Sequence, residues 1–123
     1  MEGFNQYQLI ALDDALKRVG NRKPLLIKLL NAFINNPRYN EILLAYEERN
    51  LEAVAIALHT LKGVASNLSL ERLYKCVESL EIIFKDAVNQ GDVSVFDRTN
   101  GIDIAQIAKD TVNEVSKVIE TLV

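Results

Sequence analysis

The sequence predicts an all-α fold, an antiparallel four-helix bundle with one or two additional helices at its N-terminus. Three observations carry that prediction. Apolar residues recur at three- and four-residue spacing along most of the chain, with no strand-like alternation and no internal repeat. Caps and breakers, among them Gly20, Pro37, Asn50, Ser69 and Gly91, separate these stretches by mostly short connections. At 123 residues and 49% hydrophobic composition, the chain holds apolar material for one core. Residues 1–123 therefore read as a single domain, with N-terminal helices in 1–37 leading into a bundle in 38–123.

The elements follow in order. From about Gln6 to Val19, the residues Leu9, Leu12, Leu16 and Val19 form a helical stripe, and Gly20 ends it as a C′ glycine. A second helix begins near Pro24, at a position where the missing N–H costs nothing. It runs through Leu26, Leu30 and Phe33 to Pro37 and is apolar almost all round, so it is expected to be covered on more than one side. A third segment, about Arg38 to Arg49, carries Ile42, Leu43 and Tyr46. Asn50 reads as the N-cap of a long helix reaching Asn67, with Glu52 placed to suit the helix dipole. The next helix is expected to start at Ser69 as its cap and run to about Asn89, with Leu70, Leu73, Val77, Leu80, Phe84 and Val88 inward. A loop or short irregular segment follows. Asp103 and Gln106 have the spacing of a capping box, with Ile102 and Ile107 as its hydrophobic staple. The last helix, about 103–121, places Ile104, Ile107, Ala108, Val112, Val115, Ile119 and Leu122 on one face.

Composition excludes several functional classes. The net charge is −3 and the basic residues are scattered, which favours neither nucleic acid nor a membrane surface as partner. No apolar run approaches the roughly 18 residues needed to cross a bilayer, and the N-terminus lacks a secretory signature. The single cysteine, Cys76, forms no intrachain disulfide and fits a core-edge role, so the chain reads as cytoplasmic. Met1 and the compact ends favour the expectation of a stand-alone protein over a piece of a hybrid kinase.

The informative stretch is Ala57–Leu68, which contains His59, the only histidine. Advancing about 100° per residue puts Leu51, Val54, Leu58, Leu61, Ala65 and Leu68 on the core stripe. His59 falls off that stripe, on a line with Glu52, Ile56, Gly63 and Ser66, with Ala55 and Lys62 at its margin. The imidazole is therefore expected to face solvent among small residues. Gly63, one turn on, costs about 1 kcal/mol in a helix interior relative to Ala, which suggests that another molecule approaches the backbone there. Lys62 leans toward the N-terminus of the helix, so its ammonium suits an anion attached to the ring. At neutral pH an unperturbed imidazole is mostly uncharged, and the uncharged ring is a nucleophile.

The run His59-Thr-Leu-Lys62-Gly63, followed by Ser66-Asn67-Leu68 and then Leu73, Cys76, Leu80 and Glu81, resembles the histidine phosphotransfer (HPt) domain of two-component phosphorelays. Ala15–Gly20 and Leu29–Phe33 are also similar to that family's N-terminal part. Ser66 stands where the family commonly has Gly or another small residue, and Ser69 where a turn glycine is frequent. The resemblance implies a phosphocarrier, not an autonomous enzyme. His59 would accept a phosphoryl group from a receiver-domain aspartyl phosphate and pass it to another receiver, with Lys62 stabilising the phosphoryl charge. The implied partners are response-regulator receiver domains and a hybrid sensor histidine kinase, and the metal ion belongs to the receiver side. The chain itself shows no Walker-type loop, nucleotide cradle or kinase motif, so no cofactor or metal is expected.

Docking is expected along the strip around His59, through Ala55, Ile56, Gly63 and Ser66, with Arg72, Lys75 and Glu78 contributing from the next helix. A turn near Leu68 would set Val77 and Glu78 level with His59, and Tyr74 and Lys75 level with Lys62. A zinc site would need three or four ligands, and only Glu52 or Glu78 is expected near His59. Asp13-Asp14 and Glu47-Glu48 read as solvated faces, and the four tyrosines as packing residues with wet hydroxyls. Two other functions fit the sequence: a helical adaptor that docks on receivers without carrying phosphate, and a detached phosphoacceptor domain of a chemotaxis-type kinase. The chain is expected to be a monomer.

Overall fold

The computed structural model describes residues 4–123, apart from the side chain of Ile102. Seven helices occur among them: α1 (Leu12–Arg18), α2 (Lys23–Asn35), α3 (Tyr39–Glu47), α4 (Leu51–Asn67), α5 (Glu71–Gln90), α6 (Val95–Arg98) and α7 (Ile102–Leu122). No strand occurs among the described residues. Helix α3 packs on α4, α4 on α5, α5 on α7 and α7 back on α3, which closes a four-helix ring. Three-residue connections at 48–50 and 68–70 make α3, α4 and α5 antiparallel neighbours. Helix α2 lies on α7 and α1 on α2.

The apolar stripes meet in one core. Leu26 and Leu30 of α2, Ile42 of α3, Val54, Leu58 and Leu61 of α4, Leu73, Val77 and Phe84 of α5, and Ile104, Ile107 and Val115 of α7 are fully buried. Phe84 stacks edge-on with Tyr46 and Phe96 at centroid distances of 5.4 and 5.5 Å, tying α3 and α6 to α5. Gly101 is buried where α7 starts, and a Cβ there would lie 3.3 Å from Leu43 and Tyr46. The absent side chain lets α7 close on α3.

Several boundaries differ from the expected ones, each for a tertiary reason. Residues 5–11 do not join the helix that starts at Leu12, because their backbone groups bond elsewhere. Arg72 N donates to Gln8 O and Ala11 N to Ser69 O, both at 2.9 Å, while the Arg72 guanidinium holds the carbonyls of Tyr7 and Asn5. Arg72 thus anchors the N-terminal segment.

Ser69 does not cap α5. It adopts a left-handed φ of +57° at the end of α4, where Leu70 N bonds Ala65 O and Ser69 N bonds Ser66 O. That is the hydrogen-bond pattern by which glycine usually closes a helix. A serine is tolerated because its buried hydroxyl donates to Asp14 at 2.6 Å, an interaction that draws the Asp14 carboxyl below its usual range, with Arg18 adding to the effect.

At α7 the N-cap is Gly101, so Asp103 lies inside the first turn and forms no capping box. The expected staple of Ile102 lies outside the described side chains. The segment before α7 contains the short helix α6, which buries Val95 and Phe96. The Tyr46 hydroxyl is not wet but hydrogen-bonded to Thr99 at 2.8 Å.

Candidate functional site

Helix α4 starts as expected, with Asn50 Oδ1 accepting from Ala53 N at 3.0 Å. Its buried stripe turns His59 outward, and the imidazole side chain is 69% exposed. The ring is nevertheless held. Its Nδ1 lies 2.9 Å from Oε2 of Glu81 on α5, a carboxylate that is only 3% exposed. The other oxygen, Oε1, accepts from Lys62 Nζ at 2.5 Å and lies 3.6 Å from Lys85 Nζ.

Glu81 is the residue that sequence reasoning gave no role. It sits in the inward register of α5 with Val77 and Phe84, and a carboxylate at such a position was the available signal. The expected pairing of His59 with Val77 and Glu78 is corrected. The turn consumes Leu68, Ser69 and Leu70, so α5 begins only at Glu71 and the antiparallel register moves on by about one turn. The carboxylate beside His59 is therefore Glu81, not Glu52 or Glu78.

The charges at this centre are mutually adjusted. Burial pushes the Glu81 carboxyl up, but hydrogen bonds from Lys62 and His59, and the charges of Lys62 and Lys85, more than reverse that and hold it below its ordinary value of 4.5. The same hydrogen bond holds the Lys62 ammonium above its ordinary 10.5.

Both shifts are stability statements. The Glu81 contribution is present above its ordinary value and is lost as pH falls through the lower folded value. The Lys62 contribution is present below its ordinary value and is lost as pH rises through the higher folded one. Glu81→Gln is therefore expected to be less stable than wild type at pH 7 by about 1–3 kcal/mol. The gap should close as pH falls from the ordinary 4.5 through the lower folded value. Urea unfolding of both proteins across that range checks this, and a gap independent of pH would show that the carboxylate's charge is not involved.

An ionised carboxylate only accepts hydrogen bonds, so His59 Nδ1 is the donor and the neutral ring keeps its lone pair on Nε2. That nitrogen belongs to a side chain that is 69% exposed. Glycine 63 is exposed, and nothing lies within 4 Å of where its Cβ would be. The remaining predicted docking residues fall on both sides of His59. Ala55 and Ile56, the latter 67% exposed, line a hollow with Glu52, Lys85 and Val88 toward the start of α4. Ser66 lines a second hollow with Tyr7, Asp14, Tyr74 and Lys75 toward its end. Lys75 Nζ lies 3.9 Å from Glu78 and 5.6 Å from the Tyr7 ring centre. Cys76 is 3% exposed, and burial, with Asp103 nearby, pushes its thiol up to about 11, so it is held as an unreactive thiol. Among the described residues no three His, Cys, Asp or Glu side chains gather to hold a metal ion.

Comparison with known proteins adds one finding. The family model for the Hpt domain matches residues 26–121, a span from the second turn of α2 to the end of α7. No curated protein and no solved structure matches the chain. With more than three quarters of its length covered and the exposed His59 inside the match, the chain belongs to the Hpt domain family, whose members carry phosphoryl groups in two-component signalling.

Proposed function

We propose that this chain is a phosphocarrier in which His59 Nε2 accepts a phosphoryl group from the aspartyl phosphate of one receiver domain and delivers it to another. The observation that carries the reading is the exposed imidazole whose Nδ1 is tied to a buried carboxylate, 2.9 Å away. Phosphoryl transfer asks a protein mainly for in-line positioning and for charge stabilisation. In this reading the Nε2 lone pair attacks phosphorus, the bond from phosphorus to the aspartyl oxygen breaks, and its electron pair leaves on the receiver's carboxylate. The Nδ1 proton stays on the ring, and the positive charge that develops there is balanced by Glu81. Lys62 faces the equatorial oxygens. The return step reverses these changes on the second receiver.

The whole of residues 1–123 serves as one unit, a monomer working in the cytoplasm with receiver domains and a hybrid sensor kinase, and it supplies no nucleotide site of its own. Incubation with a phosphorylated receiver should place acid-labile label on the wild type and none on His59→Gln. Absence of label from any of several cognate receivers, with the fold intact, would move the assignment to a docking adaptor. Label taken directly from an ATP-bound kinase domain, and not from receivers, would make the chain a chemotaxis-type phosphoacceptor.

Gly63 supplies clearance for the receiver in this reading. Gly63→Ala has open space for its methyl group and removes a helix penalty of about 1 kcal/mol. The variant should melt roughly 3–6 °C higher yet take up label more slowly. Unchanged labelling would remove Gly63 from the docking surface.

A further inference from the structure

Among the described residues, Glu81 is the one charged side chain that is buried, and two lysines converge on one of its oxygens. Lys62 reaches Oε1 from α4 at 2.5 Å and Lys85 from α5 at 3.6 Å, while Oε2 is left to His59. One ammonium would satisfy that oxygen at rest. The second adds only its charge at 3.6 Å while the first is in place, and becomes the sole lysine at that oxygen if the first departs.

A phosphoryl group on His59 Nε2 brings about two negative charges within one helical turn of Lys62. Lys62 follows His59 by three residues on the same helix and leans back toward it. If Lys62 alone balanced Glu81, its departure would leave a buried carboxylate without a lysine, and burial would then favour protonating it. A protonated Glu81 no longer balances the positive ring. Lys85 follows Glu81 by four residues on α5 and leans back over it, and its side chain is 58% exposed and free to settle closer. Because both lysines use Oε1, one can replace the other without turning the carboxylate away from His59 Nδ1.

We propose that Lys85 is a positioning residue that takes over Glu81 Oε1 when Lys62 turns to the phosphoryl group, so that Glu81 keeps its charge and its hold on His59 throughout the transfer. The proposal rests on the phosphocarrier reading and deepens it. Resting-state geometry should not depend on Lys85, because Lys62 already satisfies the carboxylate.

The test is the rate of phosphoryl transfer from a phosphorylated receiver to the full chain, measured for wild type, Lys85→Gln, Lys85→Arg, Glu81→Gln and the double variant Glu81→Gln/Lys85→Gln. Lys85→Gln should slow transfer about tenfold, the size of one charge-assisted hydrogen bond, and Lys85→Arg should restore the rate to within about twofold. In the Glu81→Gln background, Lys85→Gln should have no further effect. The ring 15N signals of the single histidine should be the same in unphosphorylated wild type and Lys85→Gln. Equal rates for wild type and Lys85→Gln would overturn the proposal, as would an Arg variant no better than Gln. A full tenfold loss persisting without Glu81 would also overturn it and make Lys85 a direct contact of the receiver. Failure of the wild type to accept any label would instead overturn the phosphocarrier reading itself.

Discussion

His59→Gln is expected to lose phosphoryl uptake completely while keeping the fold. The two halves of that expectation have separate causes. The side chain is 69% exposed and contributes nothing to the core, so its replacement removes one hydrogen bond to Glu81, which Lys62 continues to satisfy. Stability should therefore change by less than about 1 kcal/mol, readable as a nearly unchanged urea midpoint. Transfer has no fallback, because the chain contains no second imidazole and an amide nitrogen is not a nucleophile. Acid-labile label persisting in the variant would place the acceptor on another residue and remove His59 from the chemistry.

The largest loss of stability is expected from Phe84→Ala. Phe84 is fully buried, stands three residues after Glu81 on α5, and meets Tyr46 and Phe96 edge-on at 5.4 and 5.5 Å. Removing a buried phenyl ring typically costs about 3–5 kcal/mol, from lost transfer energy plus the cavity left behind. Collapse around the cavity is limited here, because the ring meets both α3 and α6 from α5 and neither can move in alone. Against a typical total of about 5–15 kcal/mol, the variant should be marginal at 37 °C. Ile82→Ala, two residues away but 66% exposed, is the control and should change stability by less than about 0.5 kcal/mol. A Phe84→Ala penalty below about 1.5 kcal/mol would show that the aromatic cluster is not the keystone of the α3–α5–α6 junction. Phosphoryl uptake by the folded fraction also bears on the site, since the cavity loosens the part of α5 that presents Glu81.

Much of this molecule is legible residue by residue. The stripes on α2, α4, α5 and α7, the outward turn of His59 and the open backbone at Gly63 follow from a helical period of 3.6, and the Asn50 cap follows from its own side-chain oxygen. Each needs only the few residues around it. The boundaries that failed are those where a distant group competes for the backbone. Residues from Gln6 to Ala11 have helical spacing, yet Arg72 and Ser69 claim their polar groups. Asp103 has the spacing of a cap, yet the close approach of Gly101 to Leu43 and Tyr46 starts α7 a residue earlier.

The site divides along the same line. The sequence by itself determined that the fold is a helical bundle with a lone imidazole on its surface and a lysine beside it, because those features depend on periodicity within one helix. Only the tertiary structure decided that Glu81 is the carboxylate that holds both. The register of α5 against α4 depends on how many residues the turn consumes. That number depends on Ser69 accepting a left-handed backbone, which its bond to Asp14 of α1, 55 residues away in sequence, makes tolerable.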